Sequence, residues 1–235
     1  MRPALPFVTL VAVVALVACG SAPPPPPAPP AAPVRAARPH RPGMAMSSEL
    51  GQLDAAQVDA TFQGLLPQLS ACLERGARAN ELLSGHAKLF VRIGQDGRAR
   101  WAYLVESTLG DRDTERCMLE SARRASWPPP EGGEGQAQKA FDFDLAADAR
   151  PPVAWEPARV RAALEAARPR LAACGPLAGA TVTLYVGTDG AVTAAGVAPR
   201  DEKGEGAIDC AADVLRALKL DSPGSWPAKV TARLD

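Results

Sequence analysis

The feature that most constrains this chain is a unit written twice. In "VDATFQGLLPQLSAC", Val58, Phe62, Leu65, Leu69 and Cys72 are spaced i, i+4, i+7, i+11 and i+14. In "VRAALEAARPRLAAC", Val160, Leu164, Ala167, Leu171 and Cys174 repeat those offsets. Each set is the apolar stripe of an amphipathic helix, closed by an inward-facing cysteine. Pro67 and Pro169 both stand five residues before that cysteine. A proline inside a helix forfeits a hydrogen bond, so a kink or a break is expected at each.

The next match is extended. Ala87, Leu89, Val91 and Ile93 alternate with His86, Lys88, Phe90 and Arg92 ahead of "GQDG"; Ala180, Val182, Leu184 and Val186 alternate with Thr181, Thr183 and Tyr185 ahead of "GTDG". Alternation at period two that ends on Asp-Gly marks a strand running into a hairpin, at Asp96-Gly97 and Asp189-Gly190. This puts His86 on an outer strand face, as a solvated side chain rather than a ligand or a base. A return strand follows in "RARWAYLVEST" and "AVTAAGVAP", then a helical pattern around Cys117 and Cys210, then a last alternating run. The copies are 102 positions apart through the first helix and 93 from the first strand onward. Each unit reads helix–strand–strand–helix–strand. The expected class is α+β, with unit 1 over 49–145, a linker over 146–156 and a degenerate unit 2 over 157–235.

The N-terminal region has a different character. Arg2 precedes an apolar run from Leu5 to Ala18, 14 residues long. That is too short to span a bilayer and is laid out like an export signal. Its end, Leu16-Val17-Ala18-Cys19, resembles the bacterial lipobox, which implies that residues 1–18 are removed and Cys19 is lipidated. An ordinary signal that happens to contain a cysteine is the alternative. Residues 22–43, "APPPPPAPPAAPVRAARPHRPG", favour polyproline II and cannot form a core. At about 3.1 Å per residue they span roughly 70 Å when extended. Residues 19–48 therefore read as a lipidated cysteine and a tether, with a ligand for a proline-binding module as the alternative.

Export to an oxidising compartment changes how the other four cysteines are read. Four cysteines allow three pairings. The repeat favours the one in which each unit closes on itself, Cys72–Cys117 and Cys174–Cys210, with buried free thiols as the alternative. Loops of that length give about 4 kcal/mol each by chain entropy. No two of the four have the close spacing of zinc ligands.

Residues 50–144 resemble a known family. "ACLERG", "VRIGQDGRA", "ESTLGDRDTERCMLESARR" and "WPPPEGG" look in combination like the AgmX/PglI-type C-terminal domain of myxobacterial gliding-motility proteins, which is itself similar to the C-terminal domain of TonB. Unit 2 keeps the cysteines and the hairpin but loses "STLGD" and most of "WPPPEGG". The resemblance implies an envelope protein-binding module rather than a catalyst, with docking of an extended partner peptide on the sheet. It leaves a narrower accessory role in gliding motility or surface assembly as an expectation.

Charge is balanced, with 26 Lys+Arg against 26 Asp+Glu, so no basic footprint for nucleic acid exists. Ser107, Thr108, Asp111 and Asp113 form a polar cluster without a histidine, and they read as the cap of the second helix. Trp127 before three prolines reads as a packed helix terminus. No enzyme, cofactor, metal or small-molecule substrate is expected. The expected partners are the membrane, through the lipid, and an envelope protein or peptide. The expected location is the cell envelope, favouring the outer membrane facing the periplasm; a TonB-like energy transducer is the alternative, and an envelope enzyme a more distant one. The last strand of each unit follows a Pro- or Gly-rich connection and is expected at a sheet edge. In unit 1 the candidate docking edge is Lys139, Ala140, Phe141, Asp142, Phe143 and Asp144; in unit 2 it is residues 229–235.

Overall fold

The computed structural model of the chain describes residues 50–145 and 147–235. Cys19, the signal segment and the proline-rich stretch lie outside the described residues. The fold is mixed α+β, and the described residues belong to one compact unit.

In the first half, α1 (Ala55–Ala77) precedes the hairpin of β1 (Gly85–Ile93) and β2 (Ala99–Ser107), followed by α2 (Arg112–Arg124) and β3 (Gly135–Phe143). The three strands form an antiparallel sheet in the order β2-β1-β3. Helix α1 starts at Asp54, whose Oδ1 accepts from the N–H groups of Ala56 (2.9 Å) and Gln57 (3.0 Å). Its buried residues are Phe62, Leu65, Leu69 and Cys72, four of the five in the stripe expected from the sequence, and Val58 is half-buried against the same core. Beneath it the strand buries Ala87, Leu89, Val91 and Ile93. The hairpin turns at Gly97, whose φ of 72° an L side chain rarely adopts.

The second half repeats the order. It contains α3 (Arg161–Cys174), β5 (Thr181–Val186), β6 (Val192–Ala198), α4 (Ile208–Arg216) and β7 (Ala228–Arg233). Leu164, Ala167 and Leu171 of α3 are buried. One strand has no counterpart in the first half. β4 (Val153–Trp155) lies in the segment read as a linker and pairs in parallel with β7, giving the order β4-β7-β5-β6. Three residues are too few to show an alternation, and a partner more than 70 positions away leaves no local trace.

Both bridges are present, Cys72–Cys117 and Cys174–Cys210, joining the paired helices of each half. Of the kink or break expected at each proline, the break is corrected. Helix α1 runs on through Pro67 and α3 through Pro169. Both prolines are exposed, so the carbonyl that each leaves without a helical donor faces solvent while the apolar stripe holds the helix on its sheet.

Candidate functional site

The hydrogen bonds of one residue fix which groups line the outer edge of β3. His86 donates its N–H to Thr108 Oγ1 (2.9 Å), and its C=O accepts from the Thr108 N–H (2.8 Å). Both main-chain groups of His86 therefore face the β2 side. Alternation along β1 turns those of Ala87, Leu89 and Val91 toward β3, opposite Phe141, Lys139 and Ala137. The main-chain groups of Gln136, Gln138, Ala140 and Asp142 then point away from the sheet. Among the described residues no strand pairs with them, since β3 pairs only with β1.

This refines the edge read from the sequence. Ala140 and Asp142 present outward donors and acceptors. Lys139, Phe141 and Phe143 direct theirs toward β1, and Asp144 lies past the strand's end. Gln136 and Gln138, outside the segment first singled out, belong to the edge. The signal was available, because Gln136 is on the same alternation as Asp142. In unit 2 the expectation of an open last strand is corrected over its first half: β4 covers the outer side of β7 from Ala228 to Val230.

The two charged side chains of the strand, Lys139 and Asp142, are partnered. Lys139 forms an ion pair with Asp59 on α1 and holds that carboxyl below its usual range, although Asp59 is itself exposed. The Asp142 carboxylate bonds His86 Nδ1 (2.9 Å), and His86 Nε2 lies 3.9 Å from Glu106. His86 is thus held between two carboxylates across the outer face of the sheet, rather than being freely solvated. Phe141 packs beside Phe62, with ring centroids 6.1 Å apart, and anchors the strand from its inner face.

The polar cluster at the start of α2 sits where a cap is expected. Asp111 Oδ1 accepts from the Thr114 N–H at 2.8 Å. Trp127 is buried, donates Nε1–H to the Ala122 carbonyl at 3.0 Å and meets Phe62 edge-on.

The sequence did not expose the joint between the halves. Thr183 and Tyr185, which alternate with the apolar residues of their strand, are both buried because the first half covers that face. The Tyr185 hydroxyl donates to the Ser84 carbonyl and accepts from the Ser84 N–H, each at 3.2 Å. Lys229 Nζ donates to the same carbonyl at 2.6 Å and lies over the Tyr185 ring. Burial lowers Lys229 to about 8 and raises Tyr185 to about 12. Nearby, Arg112 Nε and Arg116 donate to Asp209 of α4 at 2.6 and 2.7 Å, and together they outweigh the burial that would raise its carboxyl.

Glu115 is the deepest charged residue at this joint. It is fully buried, and its Oε1 accepts from Ser107 Oγ at 2.7 Å. Its Oε2 has no hydrogen-bond partner among the described residues. A Cβ on Gly196 of β6 would sit 2.6 Å from Oε1, so the carboxyl lies against the backbone of the other half. Burial pushes Glu115 up to about 7, against the opposing pull of Ser107 and Arg112.

Among the described residues no group of His, Cys, Asp or Glu is arranged to hold a metal ion, and no helix is long and apolar enough to cross a membrane. Comparison with protein-family models, curated proteins and solved structures finds no match to this chain.

Proposed function

We propose that this protein is a lipid-anchored component of a bacterial cell envelope that captures another envelope protein without catalysis, by taking an extended segment of it onto the outer edge of β3. The observation that carries the reading is the open row of main-chain groups at Gln136, Gln138, Ala140 and Asp142. An added strand satisfies such groups by main-chain hydrogen bonds, and its alternate side chains give selectivity. The resemblance of residues 50–144 to AgmX/PglI-type and TonB-like domains supports this reading, as does the lipobox-like end of the first apolar run. Cys19 then provides the anchor and residues 22–43 the reach. An accessory role in motility or surface assembly is the narrower form of the proposal.

Two variants test it separately. Cys19→Ala releases the protein from the membrane fraction or blocks its processing; unchanged retention and mass refute the anchor. Asp142→Pro removes an outward N–H and leaves the Cys72–Cys117 bridge intact. In-cell crosslinking to the partner then weakens, and full-strength crosslinking by the folded variant excludes this edge.

A further inference from the structure

The two halves differ where the first helix meets the last strand, and the difference leaves a groove in the second. Cys72 and Cys174 align the helices, so Asp59 corresponds to Arg161 and Phe62 to Leu164. Opposite the first strand, Ile93 pairs with Gly135 and Val186 with Ala228, so Lys139 corresponds to Ala232 and Phe141 to Leu234. In the first half the Lys139–Asp59 ion pair ties helix to strand, and the Phe62 and Phe141 rings pack together beneath it. In the second half leucines replace both rings, and alanine replaces the lysine.

The resulting groove has a volume of about 620 Å³ and lies between α3 and the end of β7. That volume is within the usual range for ligand sites. One wall is a stripe of α3 at helical spacing, made of Arg161, Glu165, Arg168 and Ala172; Leu171 and Leu177 contribute apolar surface, and residues 232–235 form the opposite side. From Arg161 to Ala172 the stripe runs about 16 Å, the length of about five extended residues. Glu165 is paired with Arg168 at 2.9 Å, whereas Arg161 has no carboxylate partner among the described residues.

The backbone beside the groove is open as well. β4 leaves the edge of β7 at Trp155, opposite Val230, and the chain departs through Pro157. The Leu234 N–H bonds the Ala180 carbonyl, which turns the main-chain groups of the preceding residue, Arg233, away from β5. No described strand continues alongside them.

We propose that this groove is a second docking site, which takes an extended peptide segment of a partner protein carrying an acidic side chain between apolar ones. The peptide's carboxylate pairs with Arg161, supplying in reversed polarity the ion pair that the first half makes internally. Its apolar side chains fill the space that phenylalanines occupy in the first half, and its main chain bonds Arg233. The open main chain of Arg233 selects a peptide over a fatty acid, which has an anionic head and an apolar tail but no main-chain groups to pair with it. The site is separate from the β3 edge, and either can fail without the other.

The test selects from a displayed pool of random ten-residue peptides against the oxidised full chain and measures the enriched peptide in solution. The expected peptide holds an acidic residue flanked by apolar ones. Its affinity falls at least tenfold in Ala172→Trp, which fills the groove from an exposed helix position, and in Arg161→Glu. Binding to Arg161→Glu returns when the peptide's acidic residue is replaced by lysine, which shows that a folded variant has changed its preference. Asp142→Pro leaves the affinity unchanged. No enrichment, indifference to both groove variants, or a loss confined to Asp142→Pro overturns the proposal. Dodecanoate binding in the groove more tightly than any selected peptide overturns the choice of occupant.

Discussion

Replacing Glu115 with glutamine should remove a pH dependence of stability that the wild-type protein carries at its joint. The carboxyl is fully buried with one oxygen unpartnered, and its pKa rises from 4.5 to about 7. The folded state therefore holds a proton that the unfolded chain releases above about pH 4.5. Below that value both states are protonated and the group contributes no penalty. As pH rises, folding must either retain the proton against solution or bury the charge, so stability falls from about pH 4.5 and levels off above about pH 7. A shift of this size corresponds to about 3 kcal/mol at about 1.36 kcal/mol per unit, of which between about 2 and 3 kcal/mol falls between pH 5 and 8. Glutamine keeps an oxygen for Ser107 and does not titrate. Urea unfolding of both proteins at the two pH values isolates the effect, because the double difference cancels every group they share. With a urea slope of about 2 kcal/mol per molar, the wild-type midpoint falls by about 1 M more than that of Glu115→Gln. Equal shifts in the two proteins would show that the carboxyl is not held neutral at the joint, and the argument from its burial would fail.

Two further outcomes follow from the packing. Tyr185→Phe leaves the Ser84 N–H without its acceptor and should cost about 1–3 kcal/mol, read from the same urea curves. Tyr103→Phe is the control, since Tyr103 makes no hydrogen bond through its hydroxyl among the described residues and should lose much less. Replacing Cys174 and Cys210 together with serine should cost about 4 kcal/mol, and replacing Cys72 and Cys117 a similar amount, because the chain-entropy contribution varies only with the logarithm of loop length. A negligible loss at either pair would show that its bridge does not constrain the unfolded chain.

Much of the fold was legible because the sequence states it twice. The stripes ending at Cys72 and Cys174, the alternation into Gly97 and Gly190, and the pairing of cysteines within each copy all rest on local periodicity combined with repetition. What was not legible depends on contacts distant in sequence. The burial of Thr183 and Tyr185 was not legible because nothing in their own strand indicates that the first half covers that face. Glu115 left a fainter trace, as it lies on the same helical stripe as Met118, Leu119 and Ala122, all buried. The continuity of the helices through Pro67 and Pro169 was not legible because their exposure, which decides whether a freed carbonyl matters, is a tertiary property. The β3 edge was located but framed too late, omitting Gln136 and Gln138. The groove was implicit in the substitutions between copies, Lys139 to Ala232 and Phe141 to Leu234, but only the register of the two sheets sets those residues side by side.

The most direct test of the proposed capture by β3 is residue-resolved amide hydrogen exchange on the protein with and without a protein recovered by in-cell crosslinking. The account predicts that the amides of Gln136, Gln138, Ala140 and Asp142 slow on binding, while those of Ala137, Lys139 and Phe141, already bonded to β1, change little. Slowing elsewhere on the surface, with these four amides exchanging as in the free protein, would contradict it.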